Sequence, residues 1–198
     1  MQEPQSNVHT DASPVLRAVG VTKRFAGVTV LDAVSVDLLS GEIHTVIGEN
    51  GAGKSTLMKI LAGVYRPDGG HVELAGRRVD FRSPHDAMNA GVVLIHQEPL
   101  SFPDLTVAEN VLLARGLPRG ALRQIDWRET VRQARALFDE LGVSIDPRRS
   151  LAGLSIADQQ MVELAAALSQ DARVLLMDEP TAALTPGEAE RLFALARN

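Results

Sequence analysis

The chain has 198 residues, 45% of them hydrophobic, and a formal net charge of -5. This is enough for one globular domain with a small subdomain, and the acidic balance argues against nucleic acid as a partner bound through a basic field. Because the chain contains no cysteine, disulfides and thiolate sites are excluded.

The first segment, residues 1–14, lacks a basic region followed by an apolar run. We therefore predict a disordered tail and not a signal peptide. No apolar run in the sequence approaches the ~18 residues that a membrane span needs.

The next segments alternate between strand and helix patterns. Residues 34–39 alternate in polarity and predict a half-buried strand, and residues 42–48 predict a buried strand that ends at a glycine turn. From Lys54 the spacing becomes helical, with one apolar face made of Leu57, Ile60, Leu61 and Val64. Residues 71–81 predict a hairpin, Ser83 and Pro84 predict the start of a helix, and residues 92–97 predict a buried strand.

The second half begins with helices. Thr106 and Ser155 are predicted N-caps, and the helix between them has a predicted inner face of Trp127, Val131, Ala134, Phe138 and Leu141. Residues 174–180 predict another buried strand, and Pro186 a final helix. Strands that alternate with helices indicate an α/β fold with a parallel sheet, and residues 100–152, which lack strands, predict a helical subdomain.

The stretch between the strand at 42–48 and the helix at Lys54 fits the pattern G-x-x-x-x-G-K-[ST]. Its residues are Gly48, Asn50, Gly51, Ala52, Gly53, Lys54, Ser55 and Thr56. The backbone N–H groups of residues 50–56 are expected to converge on a phosphate at the positive end of the helix. Lys54 would neutralise β- and γ-oxygens, and Ser55 would bind Mg²⁺. The alternative is a glycine-rich turn with an incidental lysine, which the flanking strand and helix disfavour.

Two carboxylates, Asp178 and Glu179, end the strand predicted at 174–180. In open α/β sheets, ligands bind at the carboxyl ends of strands, so we expect this pair to face the glycine loop. Asp178 would hold Mg²⁺ through water, and Glu179 would polarise an attacking water. Without the loop, a pair of solvated acids would be the better interpretation.

These motifs together resemble those of the nucleotide-binding subunits of ABC transporters. "GENGAGKST" resembles their Walker A motif and "VLLMDEP" their Walker B motif, and the resemblance covers about residues 15–198. It implies a P-loop NTPase fold, with a RecA-like parallel sheet core, an antiparallel β part and a small helical subdomain. Gln97 matches the family's Q-loop glutamine, which senses the γ-phosphate and Mg²⁺, and Phe25 matches the aromatic residue that stacks on adenine. Taken alone, Phe25 would be a core residue and Gln97 an ordinary loop residue.

The segment "LSIADQQ", residues 154–160, resembles the family signature LSGGQ but departs from it at Ile156, Ala157 and Asp158. The resemblance implies that Ser155 and the helix after it bind the γ-phosphate of ATP held by an opposing cassette. Ser155 followed by Asp158 also fits a helix capping box, and both interpretations are compatible. An acid near the partner's γ-phosphate is expected to weaken the composite site.

With these departures, the sequence resembles the first cassette of sugar importers of the ribose, xylose and arabinose type. The segment that begins at Gln97 is somewhat more similar to rhamnose- or autoinducer-importer relatives. Such a cassette implies an ATPase with ATP and Mg²⁺ as cofactors. Its implied partners are a second cassette, an integral membrane permease and, indirectly, a periplasmic or extracellular sugar-binding protein. It would lie peripherally on the cytoplasmic face of the cell membrane.

The family's switch histidine and the strand that carries it would follow Asn198. We therefore expect a C-terminally incomplete cassette, a fragment of a two-cassette protein, that alone binds nucleotide weakly and hydrolyses little. Two alternatives remain: a non-transport ABC ATPase, whose coiled-coil or basic insertions the sequence lacks, and a module that keeps nucleotide without turnover.

Overall fold

The computed structural model describes residues 13–95 and 102–178, together with Gly187. The chain divides into two compact units. The first comprises Met1–Val46 and Pro67–Asp80, and the second comprises Ile47–Arg66 and Phe81–Asn198. Nearly all of the predicted N-terminal tail lies outside the described residues, as does all but Gly187 of the helix predicted from Pro186.

The first unit contains a four-stranded antiparallel sheet in the order β2-β1-β3-β4. Its strands are β1 (Leu16–Phe25), β2 (Val28–Leu38), β3 (Gly69–Leu74) and β4 (Arg77–Val79). The predicted strand at 34–39 forms the end of β2, and the predicted hairpin at 71–81 is β3 and β4. Strand β1 was not predicted, although it lies at the centre of the sheet.

Left-handed backbone shapes this sheet at two places, the turn between β1 and β2 and Gly70 in β3. Ala26 and Gly27 have φ of 47° and 83° and join β1 to β2 through a two-residue turn of the kind that favours positive φ. Gly70, with φ of 73°, lies so close to β1 that a Cβ there would approach the Gly20 carbonyl oxygen to 2.3 Å. Only glycine therefore allows β3 to pair with β1 at this point.

The second unit combines helices with a two-stranded parallel sheet. Helix α1 (Lys54–Leu61) is followed by α2 (Pro84–Asn89) and by β5 (Val92–Ile95), which pairs in parallel with β6 (Val174–Met177). The expectation of a parallel α/β arrangement is confirmed for these two strands.

The helices between β5 and β6 are α3 (Val107–Leu112), α4 (Trp127–Glu140) and α5 (Ile156–Leu168), with a 3-10 turn at Leu151–Gly153. The predicted N-caps form at Ser83, Thr106 and Ser155, where each hydroxyl accepts a hydrogen bond from the backbone N–H three residues later. Side chains of α3, α4 and α5 form one buried cluster that includes Val107, Val111, Ala134, Phe138 and Leu164. No helix in the described residues is long and apolar enough to cross a membrane.

The predicted strand at 42–48 does not form. These residues pair with no described strand, and the side chains of Ile43 and Ile47 are 47% and 91% exposed. The prediction failed because a strand needs a hydrogen-bonding neighbour, and an apolar run shows the capacity to pair without showing the partner.

The predicted inner face of α4 is wrong at one position. Trp127 is 52% exposed, whereas Ala134 and Phe138 on the same face are buried. Trp127 is the first residue of the helix, and because helical side chains point toward the N-terminus its ring extends past the end of the helix.

Candidate functional site

The glycine loop before α1 is held in a tight turn. The Ala52 N–H donates to the Glu49 carbonyl oxygen at 3.1 Å, and Gly51 and Gly53 have φ of 85° and 91°. A Cβ on Gly51 would meet nothing within 4 Å, so its left-handed backbone accounts for glycine there. The predicted Gly48 is constrained differently, since a Cβ on it would lie 3.3 Å from the Ala52 Cβ. Asn50 is exposed at the tip of the turn.

Gly53 is the N-cap of α1 and offers no side chain to its first turn. The N–H groups of Lys54, Ser55 and Thr56 have no acceptor within the helix, because the first intrahelical bond runs from the Leu57 N–H to the Gly53 carbonyl. These donors and the helix dipole favour an anion at this end of α1.

The Lys54 ammonium group lies across the loop that precedes it. It donates to the carbonyl oxygens of Gly48 at 2.8 Å and of Glu49 at 3.0 Å. The lysine is therefore held beside the helix terminus and adds a full positive charge at the end of α1 that favours an anion.

Ser55 and Asp178 meet although they are far apart in sequence. The Ser55 hydroxyl donates to Asp178 Oδ1 at 2.8 Å, and Asp178 is only 7% exposed. Asp178 follows β6 directly, and its N–H donates to the Ile95 carbonyl at the end of β5 at 3.2 Å. The carboxyl ends of the two parallel strands thus bring the buried Asp178 carboxylate to the first turn of α1.

Hydroxyl and carboxylate oxygens are hard donors of the kind that Mg²⁺ prefers. The described residues contain no group of three or more histidine, aspartate or glutamate side chains that could hold a metal ion. A metal at this position would therefore depend on this serine–aspartate pair together with ligands of another kind, such as phosphate oxygens and water.

Ser155, the predicted signature serine, lies in the same unit at the start of α5. Its hydroxyl accepts from the Asp158 N–H at 3.1 Å, so the predicted N-cap at Ser155 forms. Ile156 is 53% exposed on the first turn. The substituted positions of the signature therefore present an apolar side chain and an acid at this helix terminus.

Phe25, the predicted aromatic contact, lies in the first unit at the end of β1. Its side chain is 39% exposed, and the Lys23 ammonium is 5.4 Å from the centre of its ring. The backbone N–H of Arg24 and the Lys23 ammonium lower the pKa of Asp68, which neighbours them.

Two predicted residues, Gln97 and Glu179, lie outside the described residues. Of the other predicted residues, the structure brings Ser55 into contact with Asp178 and Lys54 into contact with Gly48.

Gln160 is a polar residue that the sequence analysis missed. It is 7% exposed on α5, and its side-chain oxygen has no hydrogen-bond partner among the described residues. Gln160 precedes the buried Leu164 by four residues, and this helical spacing predicts that both lie on the inner face of α5.

Comparison with known proteins agrees with this geometry. The ABC transporter family profile matches residues 31–182. The chain is 56% identical over 188 residues to "Ribose import ATP-binding protein RbsA 1" of Streptomyces coelicolor, covering 95% of this chain and 37% of that protein. It is 50% identical over 186 residues to "Putative ribose/galactose/methyl galactoside import ATP-binding protein 1" of Burkholderia ambifaria, covering 94% and 36%. The chain thus spans little more than a third of the length of these relatives.

Solved structures share the fold. The ADP conformation of MJ1267, an ATP-binding cassette of an ABC transporter, superposes with a TM-score of 0.81 at 28% identity, covering 92% of this chain and 75% of that one. The dimeric structure of the cassette MJ0796 gives 0.76 at 25% identity, covering 91% and 81%. With the P-loop geometry of α1 and the matched profile, the chain belongs to the ABC transporter family and has the P-loop NTPase fold of its ATP-binding cassettes.

Proposed function

We propose that this chain binds Mg·ATP and that the whole protein to which it belongs hydrolyses ATP to energise import of a sugar of the ribose class. The observation that carries the proposal is the hydrogen bond between Ser55 and the buried Asp178 at the first turn of α1. Two relatives of the chain are named ribose import ATP-binding proteins, which supports the choice of substrate class.

The phosphates of ATP would lie against backbone N–H groups of residues 50–56, in the turn that the left-handed Gly51 and Gly53 form before α1. Lys54 would exchange its bonds to the loop carbonyls for bonds to phosphate oxygens, because a phosphate carries a full negative charge. The exchange moves the lysine over a short distance, since it already lies at this terminus.

Ser55, Asp178 and Gln97 would hold Mg²⁺, and the two residues that the structure describes fit this metal by their oxygen donors. When bound, the metal would neutralise charge on the phosphate oxygens. Ser55 could hold the metal through an oxygen lone pair and still donate its hydroxyl proton to Asp178, and the cation would add compensation for the buried carboxylate.

Hydrolysis is assigned to Glu179 and Gln97. Glu179 would accept a proton from, or polarise, the attacking water, and Gln97 would help to orient that water. Glu179 follows Asp178 directly, which supports its placement at the same sheet edge as the serine–aspartate pair. Phe25 would stack on the adenine ring.

The same proposal defines the partners. Ser155 and the start of α5 would face ATP bound by a second cassette, and the exposed Ile156 with Asp158 would make that contact weaker than in a glycine-containing signature. A membrane permease would dock on the helical region after Gln97 and hold the protein peripherally at the cytoplasmic face of the membrane. A sugar-binding protein outside the membrane would deliver the sugar to that permease.

The test of ATP binding is Lys54→Ala in the full-length protein. We expect the affinity for Mg·ATP to fall at least about tenfold to a hundredfold, because a charge-assisted contact to phosphate is lost. Isothermal titration calorimetry measures the change. Lys59→Ala is the matched control, since Lys59 lies in the last turn of the same helix. Equal affinity for ATP in the Lys54→Ala and Lys59→Ala variants would contradict the proposal.

A further inference from the structure

Asp68 holds the end of β1 at the point where its pairing with β3 stops and only its pairing with β2 continues. The last residue of β1 that pairs with β3 is Thr22, opposite Gly69. Beyond it, Asp68 Oδ2 accepts a hydrogen bond from the Arg24 N–H at 2.7 Å, and the Asp68 N–H donates to the Thr22 carbonyl at 2.8 Å. One residue thus supplies both a backbone and a side-chain bond to a stretch where the ladder is irregular.

The other oxygen of the same carboxylate holds a lysine. Asp68 Oδ1 accepts from the Lys23 ammonium at 3.1 Å, and the Lys23 side chain is 14% exposed. That ammonium lies 5.4 Å from the centre of the Phe25 ring. Lys23 and Phe25 are two residues apart on one strand, so their side chains point to the same face of the sheet.

These contacts form a sequence of three groups: carboxylate, ammonium and aromatic ring. A cation over an aromatic face is attracted by the negative charge of that face, and it occupies that side of the ring. Phe25 is nevertheless 39% exposed at the hairpin, opposite Val28, which is 65% exposed. The arrangement leaves ring surface for a flat ligand and restricts the directions in which the ring can turn.

We propose that Asp68 is a positioning residue for nucleotide-base binding, which acts by holding Lys23 against one face of Phe25 so that the purine stacks on the other. The inference rests on the proposed function, in which Phe25 stacks on adenine. It assigns Asp68 a task in base recognition that is separate from phosphate binding, since the contacts that join Asp68, Lys23 and Phe25 lie within the first unit.

The experiment compares two ligands, Mg·ATP and Mg·tripolyphosphate, which share the phosphate chain but differ in the base. Asp68→Ala in the full-length protein is expected to weaken Mg·ATP about threefold to tenfold and to leave tripolyphosphate within about twofold of the unmodified protein. Calorimetry measures both affinities. A variant that weakened both ligands equally would show a merely structural role and would overturn the inference.

A second variant changes the other partner in the contact between Asp68 and Lys23. Lys23→Met keeps the apolar stem and removes the charge, and we expect the same selective loss for ATP, with no further loss when it is combined with Asp68→Ala. It tests the inference even if Asp68→Ala does not fold. Asp37→Asn is the matched control, because Asp37 pairs with Arg17 at 2.7 Å in the same sheet and away from Phe25.

Phe25→Ala separates the two hypotheses. If its ATP affinity is unchanged, stacking on Phe25 is wrong, and the inference is wrong with it. If Phe25→Ala loses ATP selectively while the Asp68 and Lys23 variants do not, stacking stands and the positioning role of Asp68 is refuted.

Discussion

At the scale of single residues, the contact between Ser55 and Asp178 joins positions 123 residues apart. Burying a charged carboxylate costs free energy unless hydrogen-bond donors compensate the charge, and Asp178 is only 7% exposed. The Ser55 hydroxyl supplies one donor and the Asp178 main chain is fixed by β5, so the pair is in place before any ligand arrives.

Removing the hydroxyl should therefore affect stability as well as ligand binding. Ser55→Ala is expected to lower the free energy of unfolding by about 1–3 kcal/mol without nucleotide, because the buried Asp178 loses a donor. Urea denaturation followed by circular dichroism measures this. Ser40→Ala, an exposed serine outside the site, should change it by less than about 0.5 kcal/mol. A Ser55→Ala variant as stable as Ser40→Ala would show that the contact contributes nothing.

The motifs of this site were predictable from sequence because they are local. The glycines, Lys54 and Ser55 lie within one short segment, and the turn and helix that position them follow from that segment alone. The resting contacts of Lys54 with carbonyl oxygens were not predictable, because they depend on the path of the folded loop. The contacts of Asp68 were not predictable for a related reason, because its partners Lys23 and Arg24 are 45 and 44 residues away.

At the scale of elements, the glycines of the first sheet are not equivalent. Gly70 and Gly76 have nearly the same φ, 73° and 72°, but a Cβ on Gly70 would strike the backbone of β1 whereas one on Gly76 would meet nothing within 4 Å. The two positions separate the cost of a left-handed backbone from the cost of a collision.

Gly70→Ala should destabilise the sheet by more than about 3 kcal/mol, since β1 or β3 must move. Gly76→Ala should cost only about 1–2 kcal/mol, the strain of a left-handed alanine. Chemical denaturation of both variants gives the comparison. Similar values for the two would mean that the close approach of β3 to β1 is absent.

Helix α4 carries a pH-dependent contact on its surface. Hydrogen bonds from Arg132 and Gln133 lower the pKa of Glu129 to about 2. Because the folded pKa lies below the ordinary value, the contact stabilises the fold above about pH 4.5 and this contribution is lost as pH falls toward 2.

An NMR titration of the Glu129 carboxyl carbon should therefore show a midpoint near pH 2. Arg132→Met should move the midpoint upward, toward the ordinary value, since the largest cause of the shift is removed. Arg128→Met, on the same helix, should leave it in place. A midpoint for Glu129 that does not respond to Arg132→Met would contradict the assignment of the cause.

The helix caps followed from sequence, because hydrogen bonds at Ser83, Thr106 and Ser155 connect residues three apart. The predicted inner face of α4 was right at Ala134 and Phe138 and wrong at Trp127. The failed strand at 42–48 shows the limit of such reasoning. Its apolar pattern resembles that of β5, but β5 pairs with β6 from the far end of the sequence, and pairing of this kind is decided by topology.

At the scale of the whole molecule, the chain spans little more than a third of the length of a ribose import relative: the alignment covers 95% of this chain and 37% of that protein. ATP hydrolysis in the proposed function depends on two cassettes, because Ser155 would serve a nucleotide bound elsewhere. Predictions about turnover therefore belong to the assembled transporter.

In that assembly, Glu179→Gln should lower ATP turnover about 10²–10⁴-fold, the usual contribution of a general base. The variant should still bind Mg·ATP and accumulate as closed, nucleotide-bound cassette pairs. Phosphate release and retention of labelled ATP on the isolated complex measure the two effects. Unchanged turnover would remove Glu179 from the proposed mechanism.

The contacts between Lys54 and the carbonyl oxygens of Gly48 and Glu49 bear on nucleotide exchange. When the γ-phosphate departs, the Lys54 ammonium would return to these two carbonyl acceptors. During product release, the loop carbonyl oxygens would compete with the phosphate oxygens of the product for hydrogen bonds from the Lys54 ammonium group. The same contacts would lower the affinity for ATP and raise the dissociation rate of ADP. Turnover would then be faster and ATP binding weaker.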